Sequence, residues 1–178
     1  VPDINTRHWF LKSVNYMVSA LSYFDDDTKL VYLDTDTYVC AHLYGIFEAL
    51  SRFDFVGAHA PGRSTAPTVG YIPDTFPEYN IGVQGIFNSM AVRRFFFRWL
   101  TNYEDHVGVY DNNDQAPLRE TIWNYRNNDV VFGTIPIEYN FRFGMGGQVR
   151  DLVRVLHGRS SNYKKLAERV NSGYRSIR

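Results

Sequence analysis

The stretch Leu30-Val31-Tyr32-Leu33-Asp34-Thr35-Asp36-Thr37 constrains this chain more than any other. An apolar, β-branched run ends on two carboxylates one residue apart. Side chains alternate along a strand, so Asp34 and Asp36 are expected to leave on one side as a buried strand runs out. Open α/β sheets take their ligands at that end. Two such carboxylates repel each other unless a cation or a proton lies between them. Hard oxygen ligands in an open site suit Mg²⁺ or Mn²⁺, held jointly with substrate phosphates. The same D-x-D also fits a solvated loop after a strand, so the pair needs company.

Composition narrows the classes. The chain of 178 residues is long enough for one domain with a proper core, taken here as spanning 1–178. It carries 13 Tyr, 13 Phe and 3 Trp, most of them expected in the core, although such rings also stack on sugars and bases. Zero formal net charge gives no global field for nucleic acid or an anionic membrane. Cys40 alone excludes an internal disulfide and a cysteine-rich zinc site. The sequence has no apolar run of spanning length, no signal-peptide pattern and no N-x-S/T sequon, so the expected compartment is the cytoplasm. Val1-Pro2 opens the chain in place of Met, the expected mark of a processed or trimmed piece.

Neither repeats nor linker-like composition shifts occur. Apolar spacing predicts a helix over residues 7–24, with Phe10, Leu11, Val14, Met17, Val18 and Leu21 on one face. A strand follows at 29–33, then a short helix at 43–51 and a buried strand at 53–58. Recurrent Gly and Pro make 59–78 a long surface loop, a length usually functional or disordered. A strand over 79–87 is expected to be interrupted by Gly82 and Gly85, and Asn88-Ser89 to cap a helix reaching Tyr103. A helix over 114–126, short strands at 130–135 and 153–157, and a basic amphipathic helix near 163–170 complete the series. Helices alternating with short buried strands imply an α/β fold with a largely parallel sheet.

Four further islands carry candidate chemistry. Tyr79-Asn80-Ile81-Gly82-Val83 sets an amide beside a glycine at a strand end, where a ligand could approach the backbone; a β-bulge glycine is the alternative. Asn113-Asp114-Gln115 precedes a helix, and Asp114 equally reads as an N-cap. Ile135-Pro136 with Tyr139-Asn140 reads most simply as a structural turn. Val153-Arg154-Val155-Leu156-His157-Gly158 is a strand ending in His-Gly, and a lone histidine there is more often structural than a ligand.

Taken in order, the islands resemble the GT-A nucleotide-sugar glycosyltransferases. The likeness is closest to the retaining family-eight group that includes glycogenin and bacterial galactosyltransferases, and to related nucleotide-diphospho-sugar transferases. The residues that carry it are Leu33-Asp34-Thr35-Asp36, Tyr79–Val83 with Tyr for the family's Phe and a large Ile81, Asp114-Gln115, and the looser His157-Gly158. The resemblance implies a GT-A, Rossmann-like, mostly parallel sheet flanked by helices. It implies a hexosyltransferase-like enzyme of class EC 2.4. The activity would move a sugar from a nucleoside diphosphate, UDP above all, to an acceptor hydroxyl with retention. By the same resemblance Asp34, Asp36 and His157 would ligate Mn²⁺ or Mg²⁺ bridging the two phosphates. Asp114 would hydrogen-bond the transferred sugar, Gln115 would lie near the anomeric carbon, and Asn80 and Gly82 would line the sugar pocket.

Departures from the family pattern are informative. Lys164 or Arg159 stands where a basic residue meets the diphosphate, but the family's Lys-Pro-Trp ending is absent. The family's first βαβ unit, which grips uridine, is not visible ahead of Asp34: either that unit is lacking from this chain, or the base is held another way. Lys12 and Arg7, on the helix before the acidic strand, are candidate donor contacts. A non-catalytic sugar-nucleotide or glycan-binding module is the alternative. A haloacid-dehalogenase-type phosphatase would use Asp34 as nucleophile and Asp36 as acid/base, but it needs a late acidic pair. After Asp114 the acids are Glu120, Asp129, Glu138, Asp151 and Glu168, no two of them adjacent or one apart.

Overall fold

The computed structural model describes residues 9–60, 71–106, 113–145, 147–172 and 176–177. The N-terminal half contains α1 (Trp9–Leu21), β1 (Lys29–Leu33), β2 (Thr37–Val39), α2 (Tyr44–Ala49), β3 (Phe55–His59) and β4 (Tyr79–Phe87). Then come α3 (Met90–Asp105), α4 (Gln115–Asn124), β5 (Phe132–Thr134), β6 (Phe141–Arg142), β7 (Gly147–Gln148), β8 (Val155–His157), α5 (Tyr163–Asn171) and β9 (Ser176–Ile177). Single 3₁₀ turns, Ile137–Tyr139 and Phe143–Met145, flank β6. The larger elements follow the expected order. The additional strands β2, β6, β7 and β9 are two or three residues long, too short for a period to register.

Four strands form the main sheet in the order β1-β4-β3-β5. The expected mostly parallel sheet is corrected here: β4 runs antiparallel to both β1 and β3, and only β3–β5 is parallel. The reason lies in burial. Eight of the nine β4 residues are buried, because helices cover both faces, and a strand buried on both sides reads as parallel from sequence. β4 is also unbroken through Gly82 and Gly85. β1 is half-buried along its length and lies at the edge of this sheet among the described residues. A second sheet, β2-β8-β6, stands beside the first.

Three apolar clusters hold these layers. Val14, Phe95, Phe96 and Trp99 from α1 and α3 pack with Leu118 of α4 and Phe55 on one face of the main sheet. Ile46 from α2 and Leu50 just after it cover the other face against Val56 and Val83. Phe141, Leu156 and Val170 join the small sheet to α5. Ser89 Oγ accepts from Val92 N at 3.2 Å and caps α3 as expected. Its neighbour Asn88 does something else: buried, it donates to Leu21 O, Phe24 O and Asp25 O, stitching the end of α1 to the start of α3.

One irregularity matters for the site. Between β3 and β4 the register jumps from Gly57↔Gln84 to Ala58↔Asn80, so Ile81, Gly82 and Val83 bulge away from β3 while Val83 stays paired to Leu33 of β1. Bulges re-aim side chains and gather beside active sites. Here the bulge turns Asn80 and Gly82 toward the strand end that carries Asp34. Gln84, fully buried, donates to Ile81 O at 2.9 Å and satisfies the carbonyl that the bulge leaves without a ladder partner.

Candidate functional site

The acidic pair sits in a turn between the two sheets rather than on the strand itself. β1 ends at Leu33, and Thr37 closes the turn by donating its N–H at 3.1 Å and its Oγ1–H at 2.7 Å to Asp34 O. The turn, not strand alternation, therefore brings Asp34 and Asp36 to one side. β2 then pairs antiparallel with β8, setting Thr37 opposite His157, and Gly158 N donates to Asp36 O at 2.9 Å. Asp34 N donates to Gly82 O at 2.9 Å, which extends the β1–β4 ladder by one rung. Strand register thus brings the acidic pair together with Gly82 and His157, both far from it in the chain.

The result is a cluster in which one ligand atom each from Asp34, Asp36 and His157 lies within 4.8 Å of the others. His157 Nε2 is 3.6 Å from Asp34 Oδ2 and 3.5 Å from Asp36 Oδ1. Burial pushes the His157 pKa down to about 4, the nearby Arg142 guanidinium helps, and the Asp36 charge opposes. At neutral pH the imidazole is therefore neutral, and these close approaches are not ion pairs. Burial, with repulsion from Asp36, raises the Asp34 pKa, against the hydrogen bond from Tyr32 and the charge of Arg142. Tyr32 Oη donates to Asp34 Oδ1 at 2.8 Å.

These residues open into a cleft of about 920 Å³ that also reaches Asn80, Gly82, Asp114 and Gln115. Arg142 and Arg159 bring positive charge to its wall, and Ser13 and Tyr163 close it from α1 and α5. Gly82 serves a neighbour within the protein: a Cβ there would overlap the ring of His157, so the glycine makes room for that histidine. Asp114 is 4% exposed and makes no side-chain bond to cap α4. Asn113 caps instead, its Oδ1 accepting from Gln115 N at 2.8 Å. Burial first, then the charges of Asp34 and Glu78, push the Asp114 pKa up to about 8, against backbone N–H groups that favour the carboxylate.

Gln115 is held at both ends. Its Nε2 donates to Glu78 Oε1 at 2.9 Å and its Oε1 accepts from Asn80 Nδ2 at 2.8 Å. Asn140 joins this chain to His157, and all five side chains are buried. Of the other candidates, Lys12 and Lys164 are not among the cleft-lining residues; their neighbours Ser13 and Tyr163 are. Lys164 is exposed on α5, and Arg7 lies outside the described residues. Glu78 and Arg142 carry no local signal in the sequence; Asn113 stands in one of the islands without a role of its own, and Asn140 reads from sequence as part of a structural turn.

The electrostatics of Asp114 give a measurable consequence. Its folded pKa of about 8 lies above the ordinary carboxylate value, so the folded state holds a proton that the unfolded chain gives up. Its contribution to stability is full below about pH 4 and is lost as pH rises toward 8, by on the order of a few kcal/mol. Urea unfolding at pH 5 and pH 8 is expected to show a smaller decline for Asp114→Asn than for wild type. Equal declines would contradict a carboxyl kept neutral by burial.

No protein-family model matches this chain, and no curated protein matches it. Among solved structures it is similar to the galactosyltransferase LgtC, crystallised in complex with donor and acceptor sugar analogues. The identity is 17% and the TM-score 0.55, over 82% of this chain and 58% of LgtC. The chain thus spans little more than half the length of that structure. Among the described residues no helix is long and apolar enough to cross a membrane. At this identity the likeness is one of architecture: the chain has a glycosyltransferase-like fold.

Proposed function

We propose that the chain is a metal-dependent glycosyltransferase that draws its sugar from a nucleoside diphosphate, with UDP the preferred nucleotide. One observation carries the reading: two carboxylates and a neutral histidine converge on a single point at the floor of a cleft. Three electron-rich groups gather there at little benefit to stability unless a cation joins them. The donor set fits a divalent ion. The ligand atoms lie within 4.8 Å of one another, with His157 Nε2 at 3.5 Å and 3.6 Å from the carboxylates, close enough for one ion to reach all three with bonds of about 2.1 Å after small side-chain adjustments. Carboxylate with imidazole favours Mn²⁺ over Mg²⁺. Tyr32 on Asp34 and Asn140 on His157 supply the outer hydrogen bonds that orient such ligands. Bound on Asp34, Asp36 and His157, the ion would neutralise charge on a diphosphate leaving group.

The remaining work falls to the chain itself. Arg142 and Arg159 add positive charge on the same wall, where the diphosphate oxygens would lie. Asp114, protonated at neutral pH, can donate a hydrogen bond to a sugar hydroxyl as well as accept one. Gln115 presents a fixed amide dipole beside it, a group suited to developing positive charge at an anomeric carbon. Retention of configuration rests on the family-eight resemblance. A phosphatase reading gains nothing here, because the third group of the cluster is a histidine rather than the late acidic pair that chemistry uses.

The test is release of UDP from UDP-galactose and UDP-glucose, with Mn²⁺ and with a chelator. The expected result is turnover that disappears on chelation and returns with Mn²⁺. Metal-dependent UDP binding without release would make the chain a sugar-nucleotide-binding module. Turnover of p-nitrophenyl phosphate in place of UDP-sugar would revive the phosphatase.

A further inference from the structure

We infer that Asn140 is the positioning residue of the metal centre: it holds His157 in the one tautomer that leaves Nε2 free to face Asp34 and Asp36. The inference rests on the metal reading above and adds a residue to it.

The deduction starts from a backbone atom, whose role is beyond choice. Asn80 O is a carbonyl and can only accept. The Asn140 side-chain atom 3.1 Å from it must therefore be Nδ2, which also donates to Asn80 Oδ1 at 2.7 Å. The other end of that amide is then Oδ1, and it lies 2.7 Å from His157 Nδ1. An oxygen cannot donate, so Nδ1 carries the proton. The ring can bind a cation only as neutral imidazole, which carries one proton, so with Nδ1 protonated Nε2 is the atom that presents its lone pair, at 3.5 Å and 3.6 Å from the two carboxylates.

A second backbone atom gives the same answer independently. Gly82 N–H donates to Asn80 Oδ1 at 3.2 Å, which identifies the oxygen end of Asn80. Asn80 Nδ2 must then donate to Gln115 Oε1, and Gln115 Nε2 to Glu78 Oε1. The chain ends on a carboxylate, the acceptor its direction requires. Every donor in it meets an acceptor, so none of the three amides can turn over without placing oxygen against oxygen.

Asn140 is 1% exposed and stands between the 3₁₀ turn Ile137–Tyr139 and β6, the strand parallel to β8. It reaches His157 from the junction of that turn with β6, where its own N–H donates to Ile137 O at 2.9 Å, and makes no use of the acidic turn. With that oxygen removed, the imidazole proton can move to Nε2, where two carboxylates would accept it. The hydrogen bond so formed would occupy the position a cation needs.

The test begins in metal-free protein, with long-range ¹H–¹⁵N correlations of the histidine rings. Wild type is expected to show His157 protonated at Nδ1 and bare at Nε2. Asn140→Ala is expected to move the proton wholly or partly to Nε2. Calorimetry with Mn²⁺ should then give about 10- to 100-fold weaker binding, the usual effect of losing a metal ligand's hydrogen-bonding partner. Asn140→Asp keeps an acceptor against Nδ1 and should retain the Nδ1–H tautomer, while its second oxygen, facing Asn80 O and Oδ1 in place of Nδ2, should lower the melting temperature. If the alanine variant does not fold, Asn140→Ser, too short to reach the ring, takes its place. A wild-type ring protonated at Nε2, or an unchanged tautomer in the truncated variant, overturns the inference. Failure of wild type to bind Mn²⁺ overturns the metal reading instead, and the tautomer is still read from the same spectra.

Discussion

Gly82→Ala is expected to remove divalent-cation binding almost completely. The φ of Gly82 lies outside the left-handed region, so the effect is steric rather than conformational. A methyl group there would occupy the space of the His157 ring, which is 4% exposed and has nowhere to go without leaving Asn140. The alternative is for β4 to draw back, but Gly82 O holds Asp34 N, so that movement would take a second ligand with it. Overpacking of this kind costs about 1–3 kcal/mol, or a few degrees to about 10 °C in melting temperature for a chain of this size. Mn²⁺ affinity should fall by on the order of 100-fold or more, since a ligand and its orientation are lost together. Gly144→Ala is the control: nothing lies within 4 Å of the added atom, and wild-type binding is expected. A Gly82→Ala protein with wild-type Mn²⁺ affinity would remove His157 from the ligand set.

Asp36→Ala should abolish binding as thoroughly while leaving the metal-free fold intact. Its backbone carbonyl keeps the bond from Gly158 N whatever the side chain is. Losing the carboxylate relieves Asp34, whose pKa Asp36 helps to raise, so the melting temperature without metal should hold or rise slightly. Asp34 and a neutral imidazole would then face the cation with a single negative charge. Calorimetry should detect no Mn²⁺ binding in the range where wild type saturates. A residue present for structure would give the opposite pattern, a lower melting temperature with affinity preserved.

The acids and the histidine were legible because each closes a run of its own: an apolar strand for Asp34, a valine-rich strand for His157. Asn80 and Gly82 stood out through residue type alone, although the glycine accommodates His157 rather than a ligand. Asn140, Glu78 and Arg142 join the site through register, β6 beside β8 and β4 beside β1, across separations at which sequence carries no period. Strand direction was illegible for a related reason. The segment between β3 and β4 is long enough for a parallel crossover, yet the chain returns antiparallel and Ala60 N pairs back to Glu78 O at 2.8 Å. Asp114 illustrates a third limit. Residue type before a helix suggested a cap, but burial decides its state, and burial depends on α3, whose Trp99 holds the Asp114 carbonyl at 3.1 Å.

The central claim is that Asp34, Asp36 and His157 hold a divalent cation against a nucleoside diphosphate. Anomalous diffraction at the manganese edge, from crystals soaked with Mn²⁺ and UDP, tests it most directly. The account predicts a single strong peak within bonding distance of Asp34, Asp36 and His157 Nε2, with diphosphate oxygens completing its shell. UDP bound in the cleft with no manganese beside those three residues would contradict it.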